Sequence, residues 1–188
     1  MTAQEVIQRL KEGNARFKTD SLEHKLQDQP RRDELKDGQK PWAIILSCAD
    51  SRVAPELTFD TGLGELFICR VAGNIANTSS IASIEYAVAH LGTPVIVVLG
   101  HESCGAVGAA MAGGDNGYNL NHLLAHVTPA LAAAGDGAST EKVVKENAKL
   151  NAEELKTRSS IISGAVSAGK VKIVSAYYKL DGEVEFID

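Results

Sequence analysis

Residues 47–56 read SCADSRVAPE and follow directly on the apolar run PWAIIL of residues 41–46. Within five positions the chain sets a thiol (Cys48), a carboxylate (Asp50) and a guanidinium (Arg52) at alternate places, where a buried strand is expected to end. Residues two apart on an extended segment point the same way, so these three side chains can approach one site. A second junction has the same build: PVIVVLG, residues 94–100, runs into HESCGAVG, residues 101–108. In open α/β sheets ligands sit in the crevice outside the carboxyl ends of strands, and neighbouring strands would bring the two clusters together there.

Working outward, short apolar runs predict strands at 42–46, 66–71, 94–99 and 172–176. Helical patterns lie between them, at 79–91, 103–113, 119–134 and 140–169. Strands that are apolar throughout and alternate with helices indicate an α/β fold, a central mostly parallel sheet flanked by helices. At the N-terminus Val6, Ile7, Leu10 and Phe17 share one helical face, with Thr2 as a cap. Residues 18–40 are charged and poor in apolar side chains, as suits a solvated linker or an arm that gains its burial from another subunit. The last segment, KIVSAYYKLDGEVEFI, carries an Asp181-Gly182 turn signal between extended runs and predicts a terminal strand hairpin. AGGDNGYN (112–119) and AAAGDGAST (132–140) read as surface loops.

The 188 residues are expected to form a single domain. Apolar content of 44% and charged content of 23% are ordinary for a globular protein. A formal charge of −5 argues against nucleic acid or an anionic membrane as the partner. No apolar run approaches the ~20 residues that span a bilayer. The amphipathic, mixed-charge N-terminus does not resemble a secretory signal, so a cytoplasmic location is expected. Three cysteines in such a compartment point away from a disulfide framework. Cys69, inside the apolar run LFICRVA, reads as a buried thiol.

The two polar strand ends supply one histidine and two cysteines: Cys48, His101 and Cys104. Zinc accepts sulfur and nitrogen in tetrahedral geometry, and three protein ligands leave one position for water or substrate. Asp50 could accept a hydrogen bond at that position, and Arg52 could hold Asp50 ionised and oriented. The plainer alternative is a pair of separate buried thiols, a capped histidine and a strand-end ion pair.

CADSRVAPE, ELFICRVAGN, IEYAVAHLG and HESCGAV together resemble the β-class carbonic anhydrases. The resemblance runs from about Gln39 to Gly108 and continues weakly into the terminal KIVSAYYKLDGEVEF. It implies Cys48, His101 and Cys104 as ligands of one zinc ion, Asp50 and Arg52 as the catalytic dyad, and a Gly105 backbone N–H offered to substrate. It also implies a pocket lined by Gln39, Phe67 and Tyr86, supplied in part by a partner subunit, in a homodimer or homotetramer. The N-terminal arm, residues 1–38, would lie over the neighbour. The activity implied is reversible hydration of CO2 to bicarbonate and a proton. Two thiolates donate more charge to zinc than two imidazoles, which should make its water less acidic. In one branch of the family a Trp three residues before the first zinc cysteine belongs to a regulatory bicarbonate site. Ile45 stands there in this chain, with Arg70 and Tyr178 at the other two places, which implies that Asp50 stays paired with Arg52. The proton shuttle is not identified; His24, His90, His122 and His126 are candidates by type alone.

Two other readings share the ligand set: a non-catalytic zinc module, and a zinc hydrolase of another small linear molecule of the carbon disulfide type. A nucleotide binder is disfavoured, because no G-x-G-x-x-G follows a strand and no P-loop occurs.

Overall fold

The computed structural model describes residues 1–187. The elements run α1 (Ala3–Lys18), α2 (Gln29–Glu34), β1 (Ala43–Ser47), α3 (Pro55–Thr58), β2 (Leu66–Arg70), a 3-10 turn (Ala72–Asn74), α4 (Thr78–His90) and β3 (Val95–His101). Then follow α5 (Gly105–Ala112), α6 (Tyr118–Ala125), α7 (Thr128–Ala134), α8 (Thr140–Arg158), α9 (Ser160–Ser167), β4 (Lys172–Tyr178) and β5 (Val184–Phe186). The five strands form one sheet in the order β2-β1-β3-β4-β5. The first four pair in parallel and β5 closes the edge antiparallel to β4.

β1 and β3 are central, and every residue of both is buried. That is why they read as continuous apolar runs rather than alternating ones. Their side chains divide between two layers. Ile44, Leu46, Ile96 and Val98 pack with Ile84 of α4, Ala148 and Leu155 of α8 and Ile162 of α9. Ala43, Ile45, Val95, Val97 and Leu99 pack with Val6, Ile7 and Leu10 of α1, and with Trp42 and Phe59. A third apolar cluster lies beyond the carboxyl ends of β1 and β3 and includes Cys48, Cys104, Ile75, Val107, Val127 and Tyr177.

α1 is closed at its start by a reciprocal cap: Glu5 N–H donates to the Thr2 hydroxyl at 3.3 Å, and Thr2 N–H donates to the Glu5 carboxylate at 2.7 Å. The helix comes so close to the end of α3 that a Cβ on Gly13 would stand 1.9 Å from the Phe59 carbonyl oxygen. Next to it the buried Asn14 amide donates to the Thr58 and Gly182 carbonyls at 3.2 and 2.7 Å, and its oxygen accepts from Val184 N–H at 2.8 Å. One side chain thus joins α1, α3 and the terminal hairpin.

Three expectations are refined. Trp42 precedes its strand instead of opening it. The segment 18–40 contains a short helix, α2, capped by Asp28 and buried nowhere. The long helical patterns at 119–134 and 140–169 each divide in two. Pro129 sits in the first turn of α7, where its missing N–H costs nothing. Ser159 leaves helical geometry (φ −128°, ψ 113°), and its hydroxyl accepts from Ile162 N–H to start α9.

Candidate metal centre and its surroundings

β1 ends at Ser47, and Cys48 is the next residue. β3 ends at His101; after a two-residue turn Cys104 caps α5. Because β1 and β3 are parallel neighbours with Ser47 opposite Leu99, the residues just past their ends lie side by side. The Cys48 and Cys104 sulfurs and a His101 ring nitrogen all fall within 4.8 Å of one another, and all three residues are buried. The turn is tight enough to hold Ser103 in the left-handed region, at φ 55°.

His101 Nδ1 lies 2.8 Å from the Glu102 carbonyl oxygen, so that nitrogen carries the proton and donates. The lone pair is left on Nε2, which is buried with no hydrogen-bond partner among the described residues. A buried imidazole nitrogen without a partner, beside two sulfurs and with its other nitrogen donating to a carbonyl, is what a zinc site asks of its protein. The residues fit the ion.

The sulfurs are unequal as they stand. The Cys104 thiol donates to Cys48 and, against the opposing effect of burial, pulls its pKa well down; the N–H groups of Gly73 and Asp50 act in the same direction. The same proximity and burial push the Cys104 thiol far up. A divalent cation would favour the thiolate at both. Cys69, by contrast, is pushed up to about 11 by burial and takes no part in the group.

Asp50 and Arg52 meet in a paired contact: Nε to Oδ1 at 2.9 Å and Nη2 to Oδ2 at 2.8 Å, with the Arg52 backbone N–H also on Oδ1 at 2.9 Å. Arg52 holds the carboxyl well below the usual carboxylate range. Asp50 Oδ2 stands 4.0 Å from His101 Nε2. Arg52 Nη2 also donates to the Ser103 carbonyl at 3.2 Å, so one guanidinium links the turns that follow β1 and β3. Arg70, at the end of β2, donates from Nε to the Cys48 carbonyl at 2.9 Å and from Nη2 to the Asp50 carbonyl at 2.6 Å.

Gly105 opens α5, so its N–H belongs to a first turn that has no intrahelical acceptor. The other three pocket residues are elsewhere. Phe67 pairs in register with Ile44, four residues before Cys48 and so roughly 13 Å back along the strand. Its ring lies 6.4 Å from that of Tyr86, which is half-exposed on α4. Gln39 is exposed before the start of β1. Ile45 and Tyr178 are buried in the layer under α1, while Arg70 is engaged by the two carbonyls. The His90 ring lies tilted against Tyr86, and His122 of α6 lies against His126 just past the end of that helix.

Sequence reasoning missed the supports behind the trio. The carbonyl contacts of Arg70 have no sequence signature. Asn147 and Asn151, which hold the turn beside Cys48, could have been found: two amides four apart interrupt the otherwise apolar stripe of α8.

Residues 43–184 match the family described as Carbonic anhydrase. The chain is 42% identical over 178 residues to "Carbonic anhydrase 2" of Mycobacterium tuberculosis, covering 92% of this chain and 86% of that protein. It is 41% identical over 184 residues to the carbonic anhydrase of Mycolicibacterium smegmatis, covering 94% and 89%. Among solved structures, one of two tetrameric β-carbonic anhydrases from Sordaria macrospora superposes with a TM-score of 0.74 at 25% identity, over 85% of this chain and 87% of that one. Sequence, fold and the buried Cys48–His101–Cys104 group lead to the same place: the chain belongs to the β-class carbonic anhydrase family.

Proposed function

We propose that this chain catalyses the zinc-dependent, reversible hydration of CO2, with Cys48, His101 and Cys104 as ligands and Asp50 and Arg52 as the working dyad. The observation that carries the reading is an ionised, doubly anchored carboxylate 4.0 Å from the unpartnered imidazole nitrogen of a buried two-sulfur, one-nitrogen group. Bound there, zinc supplies the Lewis acidity that makes water a nucleophile at neutral pH. Asp50, kept ionised by Arg52, can only accept; it takes the hydrogen bond from the nucleophile and turns the lone pair toward carbon. Arg52 holds both oxygens of Asp50, which opposes a carboxylate closing the site as in a purely structural zinc module. Gly105 N–H donates to an oxygen of bound substrate at the start of α5. The walls near the sulfurs, Val71, Ile75 and Val107, suit a small uncharged molecule.

The reading extends to assembly. The chain is taken as one domain; within its arm, residues 1–38, α1 packs on the chain's own sheet through Val6, Ile7 and Leu10, and the remainder reaches a second copy in a homodimer or homotetramer. Gln39, Phe67 and Tyr86 lie away from their own trio and would complete a neighbour's pocket, and α2 buries no residue in its own chain. The relative from Sordaria macrospora is described as tetrameric. A reducing cytoplasm suits three free cysteines.

Stopped-flow CO2 hydration with and without a zinc chelator tests the activity, alongside metal analysis of Cys104→Ser and Cys69→Ser. Zinc and activity should disappear in the first and remain in the second. Full zinc in Cys104→Ser would show the ligand set to be wrong. Deleting residues 1–35 strips Val6, Ile7 and Leu10 from the chain's own core as well as removing the arm, so stability, assembly and activity should fall together; a fully active monomer in light scattering would refute the shared pocket.

A further inference from the structure

α8 presents a buried stripe to the sheet: Val143, Val144, Ala148, Ala152 and Leu155, with Asn147 and Asn151 set among them at 1% and 2% exposure. Burying an amide is costly unless its groups are bonded. Here two of the bonds reach one turn and the other two tie the two residues to each other. Asn147 Nδ2 donates to the Gly73 carbonyl at 2.8 Å, and its oxygen accepts from Asn151 Nδ2 at 3.0 Å. Asn151 Nδ2 also donates to the Asn147 carbonyl at 2.8 Å, and its oxygen accepts from Ala76 N–H at 2.6 Å. The pair therefore grips both ends of residues 73–76.

That turn resists being left to itself. Gly73 and Asn74 both lie in the left-handed region, at φ 73° and 45°, which a residue other than glycine adopts only under restraint from its surroundings. Held in this shape, the Gly73 peptide directs its N–H at the Cys48 sulfur, 3.4 Å away. Space is tight as well: a Cβ on Gly73 would meet Val127 at 3.3 Å and Ala106 at 3.4 Å.

We propose that Asn147 and Asn151 are positioning residues for the metal: through the 73–76 turn they hold the Gly73 N–H on the Cys48 sulfur and so weaken that sulfur's electron donation. The inference rests on the zinc reading above. Two thiolates make a metal a poorer Lewis acid than imidazoles do, and an N–H bonded to sulfur withdraws part of that charge again. Outer groups of this kind tune a metal by their hold on its ligands.

The test uses the native protein and one variant. In the native protein loaded with 113Cd2+, the Gly73 amide proton should show scalar coupling to cadmium through the Cys48 sulfur. With Co2+ instead, Asn147→Leu should move the sulfur-to-cobalt charge-transfer band to longer wavelength. In its zinc form the same variant should lose on the order of 10-fold in kcat, with the midpoint of its pH–activity profile raised. A role limited to packing would lower the melting temperature and leave the band where it was. Cadmium bound without a Gly73 coupling overturns the relay while the zinc reading stands, as does a native band position in folded Asn147→Leu. If the variant does not fold, the native cadmium measurement decides. Failure to bind cadmium at all overturns both.

Discussion

Replacing Arg70 separates the role of its charge from the role of its shape. Its guanidinium reaches two carbonyls two residues apart, those of Cys48 and Asp50, at 2.9 and 2.6 Å. These residues would supply one metal ligand and the catalytic carboxylate, so a single side chain sets the path of the backbone between them. Hydrogen bonds involving a charged group contribute about 1.5–3 kcal/mol each at best. Arg70 is exposed and water can replace it, so roughly 1 kcal/mol apiece is the better figure, or about 2 kcal/mol for Arg70→Met. The effect on rate should be larger than on stability. A displacement of catalytic groups by about 1 Å costs on the order of 100-fold, and Asp50 loses one restraint while keeping Arg52 on its carboxylate and Val53 N–H on its carbonyl. Arg70→Lys keeps the charge but cannot span both carbonyls. We expect kcat/KM to fall by roughly 10- to 100-fold in Arg70→Met and by less in Arg70→Lys, with zinc content unchanged in both. Stopped-flow hydration, metal analysis and urea titration read the three quantities. Native kcat/KM in Arg70→Met would refute the reasoning; full recovery in Arg70→Lys would show that charge alone matters.

The Asp60 carboxylate is buried, and burial pushes its pKa up; the Arg16 guanidinium and the N–H groups of Glu23 and His24 outweigh this and hold it below the ordinary value. Its stabilisation is therefore complete above the unfolded carboxylate pKa of about 3.9 and fades as pH falls through the lower folded value. Asp60→Asn should lose roughly 2 kcal/mol at pH 7 and show a flatter acid limb below about pH 4 in urea titrations, whereas an unchanged acid limb would count against the assignment. Gly13→Ala should destabilise the protein by about 1–3 kcal/mol even though alanine favours helix, because the Phe59 backbone cannot yield. A raised urea midpoint would show that α1 sits less closely than described.

The strands were legible because a sheet covered on both faces writes itself as unbroken apolar runs, and the polar residues at their ends stood out against them. The ligand trio followed from the same contrast. Helix boundaries were less legible: nothing in ENAKLNAEELKTRSSIISG announces that Ser159 leaves helical geometry, since serine sits comfortably inside a helical pattern and its capping bond appears only once α9 turns away. The restraints on the site were hidden for a different reason. Arg70 acts on backbone carbonyls, which every residue has, and Gly73 acts through its peptide N–H, so no side-chain pattern marks either contact.

The parallel pairing of β1 with β3 has a consequence for how the chain comes together. Parallel neighbours need a long crossover, and here it carries β2 and α4 between the two ligand-bearing ends. A metal joining Cys48 to Cys104 would act as a removable cross-link over that whole excursion. Because the ion would hold the folded pair and not the open chain, the folded state would gain the free energy of metal binding, and the gain would grow with the free metal concentration. The ion would then serve as a late clasp: it has nowhere to sit until the crossover has closed, and once seated it makes the central pair of strands the last part of the sheet to open.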